Sequence, residues 1–225
     1  MARDKAPEPD PAAQAKLVVR ALKRLYPEPQ CALVHRNPYE LIAATILSAQ
    51  CTDVRVNMVT PELFRRYPKV QDLAAARIVD VEEIIRTTGF FRSKAKNLVA
   101  MASKVVEEHQ GEIPQDLDAL TELGGVGRKT ANVVLGVAFG IASGVVVDTH
   151  VKRLSFRLGL TKSKEPVVIE RELVAIVPRK EWVNLSHRLI DHGRRVCNAL
   201  RPRCEDCSMA KICPKNGVKQ PGGVV

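Results

Sequence analysis

The sequence predicts a mainly helical fold, and three observations support this prediction. The chain has 225 residues, 45% hydrophobic and 27% charged, a balance that excludes disorder over most of its length. One Trp, three Tyr and five Phe argue against a large β-sandwich. Apolar residues also recur at helical spacing through most of the chain. The length is sufficient for one sizeable core or two small ones.

The predicted helices follow one another with short connections. The first spans 16–25 and stops before Pro27, since proline interrupts helices. The others are predicted at 38–49, 53–67, 72–76, 79–87, 93–109, 117–123, 128–139, 149–158, 167–177 and 180–196. Residue types that begin helices stand at Asn37, Pro38, Ser93 and Asp116, and glycines that end them stand at Gly89 and Gly111. Antiparallel helices joined by short loops form a bundle.

The charge balance indicates the kind of partner. There are 35 Lys and Arg against 25 Asp and Glu, a formal net charge of +10. An excess of positive charge favours a polyanionic partner.

The start of the chain and its cysteines indicate the compartment. Residues 1–15 are predicted to be a disordered tail, since prolines and charges replace the apolar stretch of a secretory signal. The uncharged segment 130–147 is shorter than the ~20 residues that cross a bilayer. Six cysteines without a targeting segment predict a cytoplasmic protein, where clustered cysteines bind metal more often than they form disulfides.

The most specific local motif is Leu-Gly-Gly-Val-Gly-Arg-Lys-Thr-Ala at 123–131, between two predicted helices. Gly125 and Gly127 allow a sharp turn, and their N–H groups can approach an anion at the start of the next helix. The motif therefore predicts a hairpin that binds phosphate, with Gly125, Val126, Gly127 and Arg128 as its candidate contacts. The alternative is a tight turn whose glycines serve packing only.

Two residues could carry chemistry near this hairpin. Lys129 lies in the first turn of the following helix, where the positive end of the helix dipole favours the neutral amine, a nucleophile. The alternative role of Lys129 is a phosphate contact. Asp148 follows a Val-Val-Val run and opens the next helix, so it can serve as an N-cap or as an ionised carboxylate that stabilises positive charge.

Four cysteines stand close together near the C-terminus, at Cys197, Cys204, Cys207 and Cys213. Four thiolates bind either a zinc ion or a [4Fe–4S] cluster, and the single Cys-x2-Cys pair favours the cluster. The last 30 residues contain little periodic apolar sequence, so such a group would stabilise them. Arg201 and Arg203 give this segment a basic surface that suits a nucleic-acid backbone.

These motifs together resemble the endonuclease III family of helix-hairpin-helix DNA glycosylases, from about Leu17 to Cys213. The matching segments are Leu-Ser-Ala-Gln-Cys-Thr-Asp at 47–53, Thr-Gly-Phe-Phe-Arg-Ser-Lys-Ala at 88–95, Gly-Val-Gly-Arg-Lys-Thr-Ala-Asn at 125–132, Val-Asp-Thr-His at 147–150 and the four cysteines. In combination, the last three are highly specific for the family.

The resemblance implies an all-α enzyme of two domains. A six-helix barrel would occupy 31–141 and contain the helix-hairpin-helix at about 117–139. The second domain would combine 16–30 with 142–225, and its loop at 197–213 would hold a [4Fe–4S] cluster.

The resemblance also implies roles for single residues. Lys129 would attack C1′ of the damaged nucleotide, expel the base, form a Schiff base and promote β-elimination, while Asp148 assists departure of the base. Because the reacting carbon is hidden in the duplex, the nucleotide must be flipped out. Gln50 would fill the vacated space, and Phe90 would be an apolar wedge. Loop placement and core packing are the alternatives for these two, and His150 is a further candidate contact.

Three features depart from the family's pattern. Gly124 stands where proline is usual, the segment 139–144 is one residue longer than usual, and Phe90 replaces an aliphatic wedge. Cys31 and Cys51 are expected to be buried as small apolar residues.

The sequence therefore predicts a bifunctional DNA glycosylase and apurinic/apyrimidinic lyase of base excision repair. Its substrate would be double-stranded DNA containing an oxidised pyrimidine, such as thymine glycol, or an abasic site. We expect a monomer in the bacterial cytoplasm, acting at the nucleoid. A monofunctional mismatch glycosylase of the same superfamily and a non-catalytic DNA-binding protein are the alternatives.

Overall fold

The computed structural model describes residues 10–218, where the predicted all-α fold is confirmed by eleven α-helices, two short 3₁₀ helices and no β-strand. The α-helices are α1 (Pro11–Leu25), α2 (Pro38–Ser48), α3 (Asp53–Arg66), α4 (Val70–Ala74), α5 (Ile78–Ile85), α6 (Phe91–His109), α7 (Leu117–Thr121), α8 (Arg128–Phe139), α9 (Thr149–Arg157), α10 (Pro166–Ile176) and α11 (Trp182–Arg195). The 3₁₀ helices are Arg86–Thr88 and Arg179–Glu181.

Five helices, α1, α4, α5, α6 and α10, begin earlier than the sequence predicted, and local contacts explain α1 and α6. Helix α1 begins at Pro11, because the Asp10 side chain accepts hydrogen bonds from the backbone N–H groups of residues 12 and 13. The predicted tail therefore does not extend to residue 15, and residues 1–9 lie outside the described part. Helix α6 begins at Phe91 and not at Ser93, because the N–H of Lys94 already donates to the carbonyl of Phe90.

The helices form two compact units, each with its own core. The inserted unit comprises Cys31–Ser143 and contains α2 to α8. The discontinuous unit comprises Met1–Gln30 with Gly144–Val225 and contains α1 and α9 to α11.

Helix α2 lies in the core of the inserted unit. Every residue from Tyr39 to Leu47 is buried, so this helix is covered on all sides. It packs against α3, α6 and α8, while α6 also packs against α4 and α5. Helix α8, which follows the glycine hairpin, is thus supported directly by the core.

Hydrogen bonds of polar side chains connect α1 to the rest of the discontinuous unit. The buried amide of Gln14 donates to the carbonyls of Leu158 and Ile212 at 2.9 and 2.7 Å. Arg188 of α11 donates to the carbonyl of Tyr26 at 3.0 Å and pairs with Glu181 at 2.8 Å. Residues from both segments of this unit therefore share one core.

None of the helices within residues 10–218 combines the length and apolar character needed to cross a membrane.

Candidate functional site

The glycine hairpin joins α7 to α8. Leu123 and Val126 are buried and anchor it, and the N–H of Val126 donates to the carbonyl of Leu123 at 3.1 Å. Gly125 turns the chain with a φ of 74°, which a glycine adopts without strain. Gly127 is the N-cap of α8 and supplies no side-chain acceptor to its first turn. An anion at this helix end would supply that acceptor.

The three glycines of the hairpin have different neighbours. A Cβ atom on Gly124 would lie 2.9 Å from the carbonyl oxygen of Asn97 and 3.1 Å from the backbone nitrogen of Met101. A Cβ on Gly125 would lie 2.8 Å from the Cβ of Asn97. Close packing on α6 therefore explains Gly124 and Gly125. A Cβ on Gly127 would meet nothing within 4 Å, so packing does not explain this glycine.

The first turn of α8 presents two cations. Arg128 and Lys129 are its first two residues, and both side chains are exposed. Lys129 thus stands at the helix end where the hairpin leaves backbone N–H groups without a side-chain cap. A nucleic-acid phosphate bound there would lie beside the Lys129 amine.

Asp148 is the N-cap of α9, as the sequence predicted for one of its two roles. Its Oδ1 accepts a hydrogen bond of 2.7 Å from the N–H of Val151, which holds the carboxylate at the start of the helix. His150 lies in the first turn of α9, and its Nδ1 is 3.1 Å from Nη2 of Arg153. The same Nη2 donates to the carbonyl of Cys197 at 3.1 Å. Helix α9 therefore connects Asp148, at its N-terminal end, to residues 197–213, which we call the cysteine segment.

Burial lowers the pKa of two histidines of α11. It lowers the pKa of His187, although the charges of Asp191 and Asp148 act in the opposite direction. Burial also lowers the pKa of His192 to about 4. The neutral His192 ring lies with Nε2 3.6 Å from Sγ of Cys207. Burial raises the pKa of the Cys207 thiol.

Gln50 and Phe90 share two unusual properties. Both side chains are exposed, and 68% of the Phe90 side chain is accessible to solvent, so the core-packing alternative for Phe90 is wrong. Both residues also have left-handed backbones, with φ of 49° and 48°. This conformation is uncommon outside glycine and costs about 1–2 kcal/mol. Such strain concentrates at functional sites.

The four C-terminal cysteines line one cavity of about 20 Å³. Leu154, Leu158, Val196 and Ala210 give it apolar walls. The other residues at its surface include Arg157, His192, Cys197, Cys204, Cys207 and Cys213. The predicted cysteine site is therefore assembled by the fold, inside the discontinuous unit.

Arg157 organises the chain around these cysteines. Its buried guanidinium donates to the carbonyls of Asn198 and Ala199, each at 2.7 Å. It also donates to the Sγ of Cys197 at 3.3 Å. The Sγ of Cys213 lies 3.4 Å from the carbonyl oxygen of Arg157 itself. One residue of α9 thus contacts both ends of the cysteine segment.

The basic residues of the cysteine segment are on the surface. Arg201 and Arg203 are exposed, and Arg203 donates to the carbonyl of Arg195. Cys31 and Cys51 are only partly buried, and both pack against the core of the inserted unit.

The candidate residues are divided between the two units. The inserted unit holds Gln50, Phe90, Gly125, Val126, Gly127, Arg128 and Lys129. The discontinuous unit holds Asp148, His150, Cys197, Arg201, Arg203, Cys204, Cys207 and Cys213.

Sequence reasoning missed three cations that the structure buries or half-buries. Lys94 lies beneath residues 88–90, which we call the Phe90 loop. Arg153 and Arg157 lie beneath the cysteine segment. The signal available in the sequence was the helix face on which such a residue lies. Lys94 occupies the same helical face as the buried Leu98 and Met101, where a charged residue is unexpected.

The chain matches a known family. Residues 43–179 match the family model HhH-GPD, described as a superfamily of base excision DNA repair proteins. Endonuclease III of Synechocystis sp. is 54% identical over 201 residues, covering 89% of this chain and 92% of that protein. Endonuclease III of Escherichia coli is 40% identical over 199 residues, covering 87% of this chain and 92% of that protein.

Solved structures agree with the sequence relatives. A non-covalent endonuclease III–DNA complex has a TM-score of 0.86 at 40% identity, covering 91% of this chain and 95% of that one. A trapped covalent endonuclease III–DNA intermediate has a TM-score of 0.85 at 41% identity, covering 91% and 96%. These identities extend over nearly the whole chain, beyond the segment that the family model matches. The chain therefore belongs to the endonuclease III family within the HhH-GPD superfamily of base excision DNA repair proteins.

Proposed function

We propose that the chain removes oxidised pyrimidines, such as thymine glycol, from double-stranded DNA and then cleaves the strand at the abasic site. As a member of the endonuclease III family, it is a DNA glycosylase and lyase of base excision repair. The observation that carries the proposed chemistry is the exposed Lys129 in the first turn of α8, directly after the uncapped glycine hairpin. The similarity of the chain to an endonuclease III trapped in a covalent intermediate with DNA supports the same conclusion.

In the proposed reaction, the Lys129 amine attacks C1′ of the damaged nucleotide. The new C–N bond forms as the glycosidic bond breaks, and the base leaves with the bonding electrons. Loss of the ring oxygen from C1′ gives a Schiff base, and β-elimination then releases the 3′ phosphate. The Asp148 carboxylate stabilises the positive charge that develops on the sugar. Its hydrogen bond with the N–H of Val151 fixes the orientation of that carboxylate.

The DNA contacts proposed for this reaction follow from exposure and charge. The hairpin from Gly125 to Arg128 binds a backbone phosphate. Gln50 and Phe90 enter the space that the flipped nucleotide leaves, since both are exposed. His150, Arg201 and Arg203 are further proposed contacts. The protein acts as a monomer in the bacterial cytoplasm, a location supported by its bacterial relatives.

The cysteine cavity fits a [4Fe–4S] cluster held by Cys197, Cys204, Cys207 and Cys213. All four cysteines line one cavity, and four thiolates are the ligand set of such a cluster. The cluster would stabilise the cysteine segment and position its basic surface on DNA.

Borohydride trapping tests the lysine assignment. The purified protein is mixed with a duplex containing thymine glycol, the imine is reduced, and the covalent complex is resolved by gel. We expect a complex with the wild type and none with Lys129→Ala. Arg128→Ala is the matched control, because it removes the neighbouring cation and leaves the amine. It should bind DNA more weakly and still form the complex.

Two outcomes would overturn the proposal. A complex of undiminished yield with Lys129→Ala would assign the nucleophile to another residue. No complex on either a thymine glycol or an abasic duplex, from wild-type protein that binds DNA, would favour a monofunctional glycosylase or a binding protein.

A further inference from the structure

Gln50 and Phe90 are two of the four exposed, left-handed residues other than glycine within residues 10–218, and each needs support from the fold. Left-handed backbones at these positions are strained, and exposed side chains do little to hold them. Each would relax toward an ordinary conformation unless the surrounding main chain were fixed. The question is which buried group fixes it.

Lys94 contacts the Phe90 loop at two points. Its Nζ donates to the carbonyl of Thr88 at 2.8 Å, and its backbone N–H donates to the carbonyl of Phe90 at 3.0 Å. These two bonds hold the chain on either side of Gly89. Thr88 is itself buried, and its hydroxyl donates to the carbonyl of Ile85 at 2.8 Å. The side with Thr88 is therefore rigid.

The Lys94 side chain is buried along its length, and the residue is only 4% exposed. Burial lowers the pKa of this lysine. One buried side chain thus holds the main chain directly before the left-handed Phe90.

Core packing does not explain a lysine at this position. Desolvation of an ammonium group is unfavourable, and an apolar side chain of similar length would fill the same space without that cost. The buried face of α6 otherwise consists of apolar residues, namely Ala95, Leu98, Met101, Ala102 and Val105. The ammonium group is explained by the carbonyl that it binds.

We propose that Lys94 is a positioning residue that fixes the Phe90 loop in the conformation that enters DNA. This inference rests on the proposed function. Lys94 does not touch the reacting atoms. Its role is to order the loop before DNA binds, so that the entropy cost of ordering it is not added to the binding step. Insertion and nucleotide flipping then begin from a loop that already has the inserting conformation.

The test measures insertion separately from chemistry. The duplex carries tetrahydrofuran, a stable abasic analogue, opposite 2-aminopurine, whose fluorescence rises when it is unstacked. The variants are Lys94→Met, which removes the donor, and Lys94→Arg, which keeps it. Val105→Ala is the control, because it creates a cavity in the same buried face of α6 near its other end.

We expect Lys94→Met to lose the fluorescence rise to the level of Phe90→Ala, while Lys94→Arg and Val105→Ala retain it. The single-turnover rate of covalent trapping on thymine glycol DNA should fall by about 10- to 100-fold with Lys94→Met. In the Phe90→Ala background, Lys94→Met should cause no further loss, since both changes disable the same wedge.

Gly89→Ala supplies a second test if Lys94→Met does not fold. An added Cβ at Gly89 meets nothing within 4 Å, but its φ of 67° disfavours any other residue. The variant should therefore keep the core and lose the fluorescence rise. A full rise with folded Lys94→Met would overturn the inference, as would a full rise with Gly89→Ala where Lys94→Met does not fold, or an equal loss with Val105→Ala. Absence of trapping alone would instead count against the proposed function, because the fluorescence test requires no reaction.

Discussion

Replacement of Arg157 by methionine should release the cysteine segment. The guanidinium donates two 2.7 Å bonds, to the carbonyls of Asn198 and Ala199, and bonds between charged donors and neutral acceptors contribute about 1.5–3 kcal/mol each. Water can reach the carbonyl of the exposed Ala199 after the change. The lower end of the range, about 1.5 kcal/mol, therefore applies to each bond. For the two bonds together we expect the free energy of unfolding to fall by about 3 kcal/mol.

This loss can be measured in two ways. For a chain of this size, about 3 kcal/mol corresponds to a fall in Tm of about 6–12 °C. Loading of the proposed [4Fe–4S] cluster should also fall in Arg157→Met, measured as less iron and a weaker yellow-brown absorption than in the wild type, because the guanidinium also donates to the Sγ of Cys197. Arg171→Met is the matched control, since Arg171 is an exposed residue of α10.

The reasoning would be refuted if Arg157→Met kept the Tm and iron content of Arg171→Met. The cysteine segment would then hold its shape without the guanidinium. A fall in Tm with unchanged iron content would separate the two roles: Arg157 would stabilise the fold without supporting the metal site.

Three further predictions follow from the geometry. Gly124→Ala should lower the Tm, since the new Cβ would press on α6 at a cost of about 1–3 kcal/mol, whereas Gly127→Ala should leave the Tm nearly unchanged and weaken DNA binding. Burial raises the pKa of Glu181, but the hydrogen bonds and charges of Arg188 and Lys23 together outweigh it, and the pKa lies below the usual 4.5. The stability contributed by Glu181 is thus complete above pH 4.5 and is lost as the pH falls further. Glu181→Gln should lower the free energy of unfolding by about 3 kcal/mol at pH 7, and this difference from the wild type should shrink in denaturant titrations made at acidic pH. DNA affinity measured by fluorescence anisotropy should fall steeply with salt, and Arg128→Ala should reduce the slope of the log–log plot by about one.

Much of the fold could be predicted from periodicity and from helix-ending residues. Each predicted helix has a counterpart, and the glycine hairpin lies where its sequence placed it. The differences occur where a local contact outweighs the general pattern. Asp10 caps α1 ahead of the apolar repeat, and the bond from the N–H of Lys94 to Phe90 starts α6 before Ser93. Such contacts depend on backbone geometry that periodicity does not contain.

The site was predictable in its exposed residues and not in its buried ones. Lys129 and Asp148 stand in recognisable segments, and the N-cap role of Asp148 follows from its position alone. Lys94, Arg153 and Arg157 were not predicted as site residues, although the position of Lys94 on the apolar face of α6 was a signal. Their roles come from carbonyl groups distant in the chain, which only the packed helices bring near.

The discontinuous unit has a consequence for biosynthesis. Every residue of the inserted unit, Cys31–Ser143, leaves the ribosome before the second segment of the discontinuous unit is made. Because domains fold as their residues emerge, the hairpin and Lys129 can be in place while α1 still lacks its partners. The Gln14 amide finds its acceptors only once Leu158 and Ile212 are synthesised. The segment 197–213 therefore takes its place last, when the inserted unit can already be folded.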